Sequence, residues 1–348
     1  MDDPQTAFSS RDVSHVKGAA CCQAAAIAFL IAALLGGATA PAAEPPLVLE
    51  SKIPLGAVNG RIDHLAVDVG GERLFVAELG NDSVGVVDLK AGRLLQTLGG
   101  LAEPQGVGYV AALDTLVVAS AGDGSLRAFT GAELQPAWRL DFGDDADNIR
   151  VDAGAGLVFM GYGGGAIAVI DPRRRAKLAE IALKAHPEAF VLEPGGQRLF
   201  VNVPSAREIA IIDRAQGRQV AAWPVRDAAQ NFPIAFDAAA RRVLTVFRQP
   251  PRLAAYAEDG TALAKVATCG DADDVFVDAR RGRVYVSCGE GAVDVFERRD
   301  AGYDRIGRIA TMTGARTSLF VPELDRLYLA VRATAAAPAA IWVLRPAP

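Results

Sequence analysis

Four short stretches of this 348-residue chain set acidic, amide and imidazole side chains side by side: Asp63-His64, Asp147-Asn148, His186 with Glu188, and Asp273-Asp274. Arg61, Asn231 and Arg316 stand just ahead of apolar segments in the same way. Asp63, Asn148, Glu188 and Asp274 are hard oxygen donors suited to a divalent cation, with His64 or His186 as an added ligand. A cation so held polarises a carbonyl and activates water, the chemistry of a lactonase-type hydrolase. Without a metal, the same residues recognise a small polar ligand or a partner protein, Arg61 and Arg316 pairing with its carboxylates. A third reading assigns them no chemistry: they tie neighbouring elements together through hydrogen bonds and ion pairs.

Whether these residues meet depends on the elements that carry them. Gly270 to Phe296 displays the plan most clearly. Val275 and Val277, then Val284 and Val286, then Val293 and Val295 alternate with polar residues, and Ala279-Arg280-Arg281-Gly282 and Gly289-Glu290-Gly291 separate the runs. Period-two alternation between Gly-rich breaks predicts a β-meander. The pattern recurs seven times. The residues that end each first strand are Asp68, Val110, Asp152, Glu193, Asp237, Asp278 and Pro322, spaced by 41 to 44 residues. A period of about 40–45 residues with four strands per unit predicts an all-β, seven-bladed β-propeller. Leu47–Leu55 reads as a fourth strand without its blade, and the last copy stops at a third strand, Ala340–Leu344. The N-terminal strand is therefore expected to complete the C-terminal blade, which leaves no open edge.

The second strands read Arg73-Leu74-Phe75-Val76, Arg198-Leu199-Phe200-Val201 and Arg283-Val284-Tyr285-Val286. Third strands end in Asp, as in Val84-Gly85-Val86-Val87-Asp88 and Ile209-Ala210-Ile211-Ile212-Asp213. Residues 47–345 thereby resemble the YVTN-repeat, YncE-like propellers of bacterial envelopes, with the second and fifth copies departing from the pattern. The resemblance implies the fold and an envelope location, and it implies no particular activity.

In a propeller the first strand of each blade lines the central channel. Counting five back from each strand end gives Asp63, Gln105, Asp147, Glu188, Phe232, Asp273 and Thr317; the next positions are His64, Gly106, Asn148, Ala189, Pro233, Asp274 and Ser318. His186, Asn231, Arg61 and Arg316 fall one or two residues further out. The expected site is thus a polar, acidic rim at one mouth of the channel. At the other end, Asp68 with Arg73, Asp237 with Arg242 and Asp278 with Arg283 are expected to form structural pairs across the first hairpin.

A net charge of −5 with Lys and Arg spread along the chain, Arg173-Arg174-Arg175 being the one basic run, argues against a nucleic-acid partner. Residues 1–42 read as a signal peptide with its n-region, Ala24–Leu35 being an apolar run of h-region length and Ala42 the cleavage point, with Ala40 as an alternative. A retained membrane anchor is the other reading of that run. Residues 43–348 form the propeller. Cleavage removes Cys21 and Cys22 and leaves Cys269 and Cys288, which are expected to form a disulfide in an oxidising compartment, two separate buried thiols being the alternative. No C-x-x-C-H, G-x-S-x-G, Walker A or H-E-x-x-H motif occurs. The sequence therefore points to a monomeric periplasmic or secreted protein with no membrane span after cleavage. Its partner is a small polar ligand or an envelope protein, a divalent cation is its one candidate cofactor, and the metal-dependent hydrolase is the alternative.

Overall fold

The computed structural model describes residues 44–348, and the segment expected to be a signal peptide lies outside them. Seven four-stranded antiparallel sheets follow one another along the chain. Their innermost strands are Leu65–Asp68, Pro104–Val110, Ala146–Asp152, Phe190–Leu192, Ala229–Asp237, Ala272–Asp278 and Ser318–Val321, in blades one to seven. Five of these strands end on the residue expected from the repeat, Asp68, Val110, Asp152, Asp237 and Asp278, and the other two end one residue short of it. Among the described residues the helical elements are three short 3-10 turns, and no helix is long and apolar enough to cross a membrane.

The second strands are apolar on both faces because each sheet is sandwiched between two others. Leu74, Phe75, Val76 and Ala77 are all 0% exposed. Leu74 and Val76 pack with Ile341 and Tyr328 of blade seven, whereas Phe75 and Ala77 pack with Leu116 and Val118 of blade two. Seven such clusters fill the seven gaps around the ring. Each large buried side chain contributes about 1.5–3 kcal/mol. The outer strands carry water-facing residues, as the alternation over Arg93–Gly99 shows.

Ring closure follows the sequence reading. Leu47–Pro54 pairs antiparallel with Ala340–Pro346, from Leu47 opposite Pro346 to Pro54 opposite Ala340. The last blade is thus built from both ends of the described chain, which caps its edge.

Cys269 and Cys288 are disulfide-bonded, with Cα atoms 5.8 Å apart. The local register differs from strict alternation. Val275 does lie opposite Val286, but Ala272 rather than Asp273 lies opposite Cys288. A β-bulge leaves Asp273 as the extra residue and turns it toward the channel mouth.

The hairpin pairs expected at the far rim form only in part. Arg73 Nε and Nη2 donate to Asp68 at 2.9 and 2.8 Å. Asp237 instead accepts from Arg298 and from the Tyr303 hydroxyl, both at 2.8 Å, and Arg242 donates to the Asp300 carbonyl. Asp278 accepts from Arg281 and Tyr285, both at 2.9 Å, while Arg283 reaches the Ala347 carbonyl. Each arginine stands opposite its aspartate in register, so the departure lies in the side chains: closer donors saturate the carboxylates first.

Candidate functional site

The heads of the inner strands converge at one mouth of the channel. Bulges interrupt four of them at this height, between Pro104 and Gly106, Ala146 and Ile149, Asn231 and Ile234, and Ala272 and Asp274. Each bulge re-aims the side chains ahead of it. Gly106 permits one close approach: a Cβ there would lie 2.0 Å from the Asp147 carbonyl oxygen.

His64 sits between two carboxylates, with Nε2 3.7 Å from Asp63 and Nδ1 4.0 Å from Asp274. Burial opposes its cation, but Asp63, Asp274 and Asp147 outweigh that and raise its pKa. Burial pushes the Asp63 carboxyl up to about 6, against the pull of His64 and of Arg61, whose Nη2 donates to it at 2.7 Å. Asp274 is likewise raised by burial, to about 7, although His64 and the Ser318 backbone N–H at 2.7 Å favour its anion.

Across the channel, His186 Nδ1 donates to the Gly163 carbonyl at 2.7 Å, and Nε2 faces Asp147 at 3.7 Å. Burial works against this imidazolium too, yet Asp147, the Gly163 carbonyl and Asp145 raise its pKa to about 9. Glu188 is pushed up to about 7 by burial and by the neighbouring Asp147 charge. One buried oxygen of Asp147 has no hydrogen-bond partner among the described residues.

Structure adds residues that counting along strands missed. Asp273 is clamped by Arg248 on one side and by Arg316 at 2.7 Å on the other, and Arg316 also donates to Asp271. Arg248 stacks 3.8 Å over Phe232, which explains the apolar member of the first ring. Arg332 lies nearby: burial lowers its pKa, and the Arg316 and Arg61 cations lower it further. Arg150 projects into the channel from blade three. With these arginines in place, the mouth is a mosaic of both signs rather than the acidic ring expected from the sequence. A signal was available for Arg150, an isolated cation at an inward position of an otherwise apolar strand; Arg248, near the end of a second strand, and Arg332, just after one, carried none.

Asn231 does not belong to the rim. It is 0% exposed, and its Nδ2 donates to Asn202 Oδ1 at 3.0 Å and to the Glu208 carbonyl at 3.1 Å, joining blades four and five. The bulge after it turns its side chain into the sheet interface. The expected metal set is not assembled either. Asn148 donates its amide to the Glu188 carbonyl, Asp63 is engaged by Arg61, and Asp274 by Ser318. Among the described residues no group of three His, Cys, Asp or Glu side chains could hold a metal ion.

Two cavities meet at His64, Ala189 and Asp273. The outer one is about 50 Å³ and is lined by the charged mouth. The inner one is about 560 Å³ and is walled by all seven inner strands, including Leu65, Val107, Ile149, Ile234, Val275 and Leu319. That volume lies in the range of small-molecule sites, about 300–1,000 Å³. The arrangement can therefore admit a small molecule past ionisable groups into a mostly apolar channel.

No protein-family model matches the chain, and no curated protein matches it. Among solved structures, a chain of Kuenenia stuttgartiensis hydrazine synthase aligns with a TM-score of 0.71 at 16% identity, over 88% of this chain and 98% of that one. A chain from a mitotic checkpoint complex aligns with a TM-score of 0.73 at 13% identity, over 92% of this chain and 99% of that one. At these identities the likeness is one of fold: the chain is a seven-bladed β-propeller, an architecture that serves widely as a binding scaffold.

Proposed function

We propose that this protein is an exported, YncE-like binding module that holds a small molecule in its central channel, entering through the mouth around His64. The observation that carries the reading is the 560 Å³ cavity lying directly behind a ring of buried ionisable groups. Three carboxyls in that ring, Asp63, Glu188 and Asp274, are held near neutrality by burial, a state that unused surface carboxylates do not reach. Export is supported by the signal-like segment and by the Cys269–Cys288 disulfide, which suits an oxidising compartment.

The test is a thermal-shift screen of small molecules against the wild type and Val67→Trp, which fills the channel at a lining position. Compounds that raise the melting temperature of the wild type and leave Val67→Trp unmoved support the channel. If every stabilising compound acts equally on both proteins, the channel reading fails.

A lactonase-type hydrolase is the second reading, with Asp63 and Asp274, carboxyls tuned close to neutral pH beside His64, serving as acid and base. Its test is lactone turnover by the wild type, Asp63→Asn and Asp274→Asn, with and without divalent ions; no turnover by the wild type under any of these conditions removes it.

A further inference from the structure

Arg150 is the one charged residue in its layer of the channel. The equivalent positions, two before each strand end, are Ala66, Gly108, Val191, Ala235, Phe276 and Phe320 in the other blades. Its guanidinium lies deep in the protein, where burial lowers its pKa, and its side chain lines the inner cavity. It is anchored from one side only: Nη1 donates to its neighbour's carbonyl, Ile149 O, at 2.7 Å and to Asn148 Oδ1 at 3.3 Å, and Cζ stands 5.6 Å from the Phe190 ring.

Three other arginines of the mouth are paired with carboxylates, whereas Arg332, which lines neither cavity, has none within 4.0 Å among the described residues. Arg61 has Asp63 at 2.7 Å, Arg248 has Asp273 at 2.5 Å and Arg316 has Asp271 at 2.8 Å. No such partner lies within 4.0 Å of Arg150 among the described residues; Asp274 and Asp147 act on it only from farther off. Those acids have other partners. Asp273 is taken by Arg248 and Arg316, Asp274 accepts from Ser318 and faces His64, and Asp147 faces His186. A guanidinium kept in a mostly apolar channel without a paired carboxylate is costly, and a ligand carboxylate matches its free edge through two parallel hydrogen bonds.

We propose that the channel binds an amphiphilic monoanion, its carboxylate on Arg150 and its apolar body against Leu65, Val107, Ile149, Ile234, Val275 and Leu319. Arg150 is the one guanidinium lining the inner cavity, and with Asp273 and Asp274 close by it favours one negative charge over two. A cationic head carried into the inner cavity would meet the Arg150 guanidinium, which repels it. This inference rests on the channel-binding reading and names the ligand class for that same site.

The test compares phenylbutyrate, phenylbutanol and phenylbutylamine, which share one apolar body, by titration calorimetry on the wild type, Arg150→Met and Val67→Trp. In the wild type the acid binds about tenfold or more tighter than the alcohol, and the amine binds weakest. Arg150→Met removes the preference for the acid and leaves alcohol affinity within about twofold, whereas Val67→Trp weakens all three. Equal binding of acid and alcohol to the wild type overturns the anion assignment; if Val67→Trp still blocks both, channel binding stands. Binding of the acid that Val67→Trp leaves intact overturns both readings, as does failure of all three to bind. The wild-type ranking decides the ligand class even if Arg150→Met does not fold.

Discussion

Glu188 and Glu193 stand five residues apart at opposite ends of one inner strand, and the protein treats them in opposite ways. Glu193, at the far rim, accepts from Arg198 Nε at 2.9 Å, from Nη2 of the same side chain and from the Arg198 backbone N–H, and its pKa is lowered, chiefly by that hydrogen-bonded arginine. Glu188, at the mouth, is buried beside Asp147 and is pushed up to about 7. The contrast repeats around the ring. Asp152 at the far rim is depressed despite burial, by the Ala155 N–H and Arg214, whereas Asp63 at the mouth is raised to about 6. One end saturates its carboxylates and uses them as brackets. The other end buries them with too few partners to offset the burial: one Asp147 oxygen has none, and Asp63, Glu188 and Asp274 are all raised.

Four measurements break or sharpen this contrast. The largest expected effect is on the covalent clamp at the mouth: replacing Cys269 and Cys288 together by Ser lowers stability by about 3 kcal/mol, read from the urea midpoint of the oxidised wild type and the variant. Next comes one substitution made at both ends. Glu193→Gln strips the charge from a bracketing pair and costs about 2 kcal/mol, tempered because Arg198 also reaches Glu258. Glu188→Gln costs nothing at pH 8. Equal losses from the two variants would abolish the distinction between the rims.

The third measurement is the pH dependence of stability. At the mouth the native state keeps protons on Asp63, Glu188 and Asp274 that the unfolded chain releases near its ordinary carboxylate values. Their contribution is therefore full below those values and is lost as pH rises through about 6 to 7. At the far rim Asp152, Glu193 and Asp325 are depressed, so their contribution is present above the ordinary values and is lost as pH falls through the lowered ones. Asp274→Asn keeps an acceptor for the Ser318 N–H. It should flatten the decline between pH 5 and 8 and stabilise the protein at pH 8 by about 1–2 kcal/mol. A variant no more stable than the wild type at pH 8 contradicts a strained mouth.

The smallest effect is spectroscopic. In an NMR titration the His186 imidazole should remain protonated through neutral pH and titrate at about 9, and His64 should titrate above its ordinary 6.5. In Asp147→Asn the His186 transition moves down, because the main carboxylate supporting its cation is gone.

Much of the framework was legible in the residues. Arg-led apolar runs, Asp-terminated third strands and Gly breaks are local signals, and each repeat states them again within about 42 residues. The unpaired strand at Leu47–Pro54 and the missing fourth strand after Ala340–Pro346 made ring closure a matter of counting. The site was legible only as a height on the channel. Asp63, His64, Asp147, Glu188, Asp273 and Asp274 do come together, but a strict count from each strand end placed Asn231 on a surface it does not reach.

The sequence alone determined that this chain makes seven four-stranded blades, closes its ring with its own N-terminal strand and gathers ionisable groups at one mouth, because periodicity and strand count are properties of neighbours along the chain. The tertiary structure alone decided which of those groups are satisfied. Arg248 and Arg316 reach Asp273 from adjacent blades, and His64 meets Asp274 across the join of the ring. These partners are separated by tens to hundreds of residues, and a one-residue bulge decides which side chain turns inward. That is why the unpaired Arg150, and the cavity it faces, emerge only when the ring is closed.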